Sequence, residues 1–282
     1  MKSLLMATDL SARSDRALER AVSLAQEHDA DLTILHVVDE DLPASLANAH
    51  EKAARQDIRK HLDKQFSGAA PRISIEVLFG RAYVDILEMS EKTKAEMIVL
   101  GLHREASGGD LFRGTTVERV IRNGDIPTLL VKDRVGGPYG RVIVGVDFSV
   151  YSRRAVEFAV NFAPTGEFYL VHAYDVPFKG FLPGHDTRRE VKKEHQVAFE
   201  KMIGDEMATF LAAQERQALK IETVLEEGTV RDVIKRQTRH LNPDLLVIGT
   251  HGRTGVAHAF LGSVAEDLLR DPPCDVLAVK AW

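Results

Sequence analysis

RVIVGVDFSVYSRRAVEFAV, residues 141–160, repeats with altered side chains a stretch near the start of the chain, KSLLMATDLSARSDRALERAV at residues 2–22. Each is a short apolar run, then a polar turn, then apolar residues at helical spacing. Asp9 aligns with Asp147, Ser11 with Ser149 and Ser14 with Ser152. The match continues in unbroken order. LTILHVVDED pairs with FYLVHAYDVP, which sets His36 opposite His172, and IEVLFGRAYVDIL pairs with IETVLEEGTVRDVI, which sets Gly80 opposite Gly228. EMIVLGLHR then pairs with DLLVIGTHG, and TLLVKD with VLAVKA. Self-similarity sustained over this length denotes two copies of one folding unit.

The 282 residues therefore divide into a first domain at 1–133, a linker at 134–140 and a second domain at 141–282, the junction being the glycine- and proline-punctuated DRVGGPYG. The second copy is longer by about a dozen residues around VPFKGFLPGHDTRREVKKEHQ, an insertion after its second strand. Within each copy, strands apolar on both faces alternate with amphipathic helices such as RALERAVSLAQEH. That alternation predicts an α/β fold with a five-stranded parallel sheet per domain, right-handed crossovers and helices on both faces. Ligands of such sheets sit beyond the carboxyl ends of the strands, where the strand order switches direction.

Charge excludes some functions. With 37 basic and 42 acidic residues evenly mixed, the chain has no electrostatic footprint for nucleic acid or an anionic membrane. Its apolar runs are far shorter than the roughly 20 residues that span a bilayer, and acidic residues come too early for a signal peptide, so a soluble, cytoplasmic protein is expected. The single cysteine, Cys274, agrees with a reducing compartment and is read as a small buried residue entering the last strand.

GTHGRTGVAHAFLGS, residues 249–263, lies between the apolar PDLLVIGT and the amphipathic SVAEDLLRD. Gly249 and Gly252 allow positive φ and close backbone approach, so consecutive N–H groups can turn inward on an anion. Gly262 and Ser263 open the next helix, whose first N–H groups are unpaired and carry partial positive charge. His251 and Arg253 add side-chain donors. A polyphosphate is the ligand this chemistry fits, against the plain alternative of a tight turn. Asp147 suits a ribose hydroxyl or an adenine edge, or equally the cap of the following helix, a role open to Ser149 as well. Neither GxxxxGK[ST] nor GxGxxG with a distant acidic residue is present, and the loop follows the fourth strand, not the first.

Gly249, two residues, Gly252, nine residues, Gly262 and Ser263 together resemble the G-x2-G-x9-G-(S/T) signature of the ATP-binding branch of the universal stress protein family. VDFS, VHAYD and DVLAVK are also similar to that family, and both halves match from end to end. The resemblance implies two tandem Rossmann-like domains of strand order 3-2-1-4-5, paired through their last strands as an intramolecular pseudo-dimer, with a further homodimer possible in principle. It implies ATP as ligand, with Mg2+ carried by the phosphates. Contacts would fall on Gly145, Val146 and Asp147, on the Ala173 backbone beside adenine, and on Gly249, Thr250, His251, Gly252, Arg253, Thr254 and Gly255. Ser263, Val264 and Ala265 would complete them.

The first domain keeps Gly101, Gly114 and Thr115 at the right spacing but has Arg104 in place of the middle glycine. Arg104 should clash with the nucleotide or fill the anion site, so weak or no ATP binding is expected there; the alternative is an Arg104 that swings out and contacts phosphate itself. The insertion offers Phe181 and Leu182 as a flap or an interaction surface, and His185, Asp186, Glu194 and His195 without tight metal-ligand spacing. His251 is the nearby candidate base for hydrolysis and is read as a phosphate donor or surface residue. The expected function is thus an ATP-binding stress or signalling protein acting on a protein partner, not an enzyme. The alternatives are a nucleotide-independent scaffold and a slow ATPase.

Overall fold

A computed structural model describes residues 1–40, 43–65, 72–102, 115–175, 185–202, 219–250 and 261–280. The first domain runs β1 (Ser3–Thr8), α1 (Ala12–His28), β2 (Asp31–Asp39), α2 (Ala44–Gln65), β3 (Ile73–Gly80), α3 (Ala82–Lys92), β4 (Met97–Gly101), α4 (Thr116–Asn123) and β5 (Thr128–Val131). The second runs β6 (Arg141–Gly145), α5 (Val150–Phe162), β7 (Glu167–Tyr174), α6 (His185–Lys201), β8 (Lys220–Glu227), α7 (Val230–Leu241), β9 (Leu245–Gly249), α8 (Ser263–Arg270) and β10 (Asp275–Val279).

All these strands join one ten-stranded sheet of order β3-β2-β1-β4-β5-β10-β9-β6-β7-β8. Read inward from each outer edge, each half has the expected order 3-2-1-4-5, with parallel pairing throughout. The halves meet through antiparallel pairing of the last strands, Val276 opposite Leu130 and Ala278 opposite Thr128.

Continuous apolar strands follow from helices on both faces. Leu245 and Val247 of β9 face the core beneath α1 and α5, while Leu246 and Ile248 face the core beneath α3, α4, α7 and α8. Successive side chains of a strand point to opposite faces, so a strand buried on both sides reads as a near-continuous apolar run.

The two halves are also fastened by a buried polar cluster. Asp275, at the start of β10, accepts hydrogen bonds from the Lys132 and Asp133 amides at 2.8 and 3.0 Å and from the Tyr139 hydroxyl at 2.6 Å. Arg20 of α1 lies with Nε 3.6 Å from Asp275 Oδ2, both side chains at most 5% exposed, and its guanidinium sits 4.2 Å above the Tyr139 ring. Arg20 also donates to the Gly137 carbonyl at 2.8 Å. The linker is thereby held against both domains. Cys274 beside it is buried, and burial with the neighbouring Asp275 pushes its thiol pKa up.

Candidate functional site

β6 is flanked by β7 on one side and by β9 on the other, so the chain order switches between β6 and β9. A cavity of about 290 Å3 opens there at the carboxyl ends of the strands. The ten expected contact residues that are described all line it: Gly145, Val146, Asp147 and Ala173 on one side, Gly249, Thr250, Gly262, Ser263, Val264 and Ala265 on the other. His251, Gly252, Arg253, Thr254 and Gly255 lie outside the described residues, as do Arg104 and Gly114 of the first domain and Phe181 and Leu182 of the insertion.

Hydrogen bonds fix the base of the glycine loop. The Thr250 amide donates to Val279 of β10 at 3.0 Å, and the Gly262 amide donates to the Thr250 carbonyl at 3.1 Å. Thr250 and Gly262, which bracket the eleven residues 251–261, are thus held together at the cavity. α8 begins at once, with Gly262 as its N-cap and no side-chain hydrogen bond to the cap. A helix beginning without a side-chain cap offers its first amides to a ligand.

Gly249 departs from the expectation of positive φ. Among the described glycines only Gly137 and Gly228 have it. A Cβ on Gly249 would instead come within 3.2 Å of the Tyr151 backbone, and one on Gly101 within 3.1 Å of the Ser14 backbone. In both copies this glycine, the last residue of its strand, lets that strand end pack against the first helix of its domain.

Asp147 accepts hydrogen bonds through Oδ1 from the Ser149 amide at 3.0 Å and the Ser149 hydroxyl at 2.5 Å. Ser149 is the N-cap of α5, accepting from the Ser152 amide. Capping therefore belongs to Ser149, and Asp147 braces the turn while lining the cavity. Between them Phe148 takes a left-handed φ of 63°, as Leu10 does in the first copy at 60°. A bulky residue there is strained, and the same strain in both copies marks a turn the fold enforces.

Sequence reading missed the apolar walls. Val171, Ile248 and Leu268 line the cavity together with Val230 and Ile234 of α7. Val230 is 42% exposed, an apolar side chain open to whatever enters. Its spacing from Ile234 on the apolar face of VRDVIKRQTRHL was the available signal. His172 also lines the cavity. Its Nδ1 is 2.7 Å from the Val146 carbonyl and its Nε2 2.9 Å from His195 Nδ1. A carbonyl only accepts, so neutral His172 donates from Nδ1 and accepts at Nε2. His36 repeats the first bond, to the Thr8 carbonyl at 2.8 Å.

The model described as the universal stress protein family matches the sequence twice, over residues 1–132 and 138–280. The chain belongs to that family. Universal stress protein E of Photorhabdus laumondii is 24% identical over 311 residues, covering 99% of this chain and 95% of the relative. A universal stress protein of Methanocaldococcus jannaschii is 32% identical over 168 residues, 57% of this chain and 87% of the relative. The crystal structure of a universal stress protein from Archaeoglobus fulgidus matches in fold with a TM-score of 0.65 at 22% identity, covering 99% of this chain and 98% of that one. This universal stress protein has no helix among its described residues long and apolar enough to cross a membrane. No group of three or more His, Cys, Asp or Glu among those residues is placed to hold a metal.

Proposed function

We propose that the second domain of this universal stress protein binds ATP, and that occupancy of the site, not turnover, is its output to a protein partner. The carrying observation is the start of α8 at the mouth of the cavity, capped by Gly262 without a side-chain hydrogen bond. The apolar walls suit adenine, and Asp147 at the rim suits a ribose hydroxyl. At about 290 Å3 the cavity is near the lower bound of roughly 300 Å3 for small-molecule pockets, which fits a nucleoside better than a whole triphosphate. The phosphates would then extend towards the α8 amides and the loop at 251–260, carrying Mg2+ with them.

Binding is favoured over hydrolysis because each described titratable group lining the site already has another role. Asp147 Oδ1 is engaged by Ser149, and His172 uses both ring nitrogens on Val146 and His195. His172 is thus not set to take a proton from an attacking water, and the second oxygen of Asp147 is assigned to the ribose.

The first domain supports the contrast. Its α4 begins with a closed capping box: the Thr115 hydroxyl accepts from the Glu118 amide at 3.2 Å while Glu118 accepts from the Thr115 amide at 3.0 Å. Donors that would meet phosphate are there satisfied by the chain itself. The test is to denature purified protein and identify any nucleotide released, then titrate nucleotide-free protein with ATP and Mg2+. ATP binding that Gly252→Arg, the first domain's residue, removes is the expected result. No nucleotide and no affinity would refute the proposal.

A further inference from the structure

The sequence that forms the capping box in the first domain, Thr115-Thr116-Val117-Glu118, recurs in the second as Ser263-Val264-Ala265-Glu266. Both satisfy the S/T-x-x-E pattern, yet the box is closed only in the first. In the second, α8 starts one residue earlier relative to the repeat, with Gly262 as cap, Ser263 lining the cavity, and the Glu266 amide donating to the Gly262 carbonyl at 2.9 Å. The Glu266 carboxylate is turned the other way. It accepts a hydrogen bond from Arg122 Nη2 of the first domain at 3.2 Å. The antiparallel pairing of β5 and β10 is what brings the end of α4 beside the start of α8.

We infer that Arg122 holds a latent Ser263–Glu266 capping box open, and so keeps the α8 amides available to a phosphate; this rests on the ATP reading above. Were the box to close, the Glu266 carboxylate would lie on the Ser263 amide. It would consume that donor and put a negative charge where the phosphate must sit. The two copies thus hold the two states of one device, closed in the first domain and held open in the second by a residue of the first. Arg122 is a positioning residue that needs no contact with nucleotide.

An ordinary surface ion pair would give both partners the same sign of effect. Here the signs oppose, because Glu266 is the blocking group and Arg122 its restraint. In titrations of the full chain with ATP and Mg2+, Arg122→Ala should weaken binding by about fivefold, the scale of a helix cap. Glu266→Ala should bind at least as tightly as the unsubstituted protein, and adding Glu266→Ala to Arg122→Ala should restore the affinity. Equal weakening by both single variants, or no change with Arg122→Ala, would overturn the inference. A second readout needs no nucleotide. Amide hydrogen exchange at Ser263 should slow in Arg122→Ala and recover in the double variant, and unchanged exchange would refute the box even in a chain that binds ATP. Should the protein bind no ATP, this second readout still decides the inference, and the proposed function alone fails.

Discussion

Tyr139 donates its phenolic hydrogen to Asp275 at 2.6 Å across 136 positions of sequence. The bond joins the linker to the first residue of β10, the strand through which the two halves share one sheet. Asp275 is buried at 1% exposure beside Arg20 at 5%, so each charge depends on the other and on the surrounding donors. Replacing such a pair by apolar residues can be neutral, whereas removing one partner leaves a buried charge. Asp275→Ala should therefore destabilise the protein by about 3–5 kcal/mol in urea denaturation. Tyr139→Phe, which keeps the ring over Arg20, should cost about 1–2 kcal/mol.

Acidification should weaken the same interface through His28. Its ring stacks on Phe162 of the second domain, centroids 5.9 Å apart, and burial, reinforced by the N-terminal ammonium, holds its pKa below the ordinary 6.5. A base with a depressed folded-state pKa contributes stability that is present above 6.5 and lost as pH falls through the folded value. Urea midpoints measured at pH 7.5 and pH 5.5 should fall with acidity, and His28→Asn should flatten that slope. A slope unchanged by the substitution would assign the pH dependence elsewhere.

The left-handed turn residues give a paired prediction. Leu10 and Phe148 share the strain, but Leu10 is 38% exposed, while Phe148 packs 4.3 Å from the His172 ring and 5.2 Å from Phe199. Leu10→Asn should be neutral or stabilise by up to about 1 kcal/mol, since asparagine tolerates this backbone region. Phe148→Asn should destabilise by about 2–3 kcal/mol through lost packing. Thermal melts of the two variants should move in different directions or by clearly different amounts.

Thr115 separates the copies. Thr115→Ala should lower stability by about 1 kcal/mol by opening the first-domain capping box. Ser263→Ala should leave stability nearly unchanged, because α8 is capped by Gly262 and draws no cap bond from Ser263. Equal losses from both would mean that the second box is closed in solution.

Much of this architecture was legible from the repeat. Apolar runs such as DLLVIG against EMIVLG located equivalent strands, and the family resemblance supplied their order and the pairing of the last ones. Asp147 and Gly262 line one cavity, as the convergence of strand-end loops in such sheets leads one to expect. What stayed hidden depends on tertiary context. A phenylalanine gives no sign that its backbone will be left-handed, and Gly249 reads as a ligand-facing glycine although the Tyr151 backbone is what requires it. The walls from Val230 and Ile234 are indistinguishable in sequence from an ordinary core-facing helix stripe. TTVE and SVAE read alike, yet Glu118 closes a box on Thr115 while α8 starts from Gly262 and Glu266 bonds Arg122 across the interface.

The stoichiometry of bound ATP per chain tests the central claim most directly. Equilibrium dialysis of nucleotide-free full-length protein against ATP and Mg2+ should saturate at one ATP per chain, held by the second domain. Saturation at two would show that the capped first domain binds as well, and no saturable binding would contradict a nucleotide site at the β6/β9 crevice.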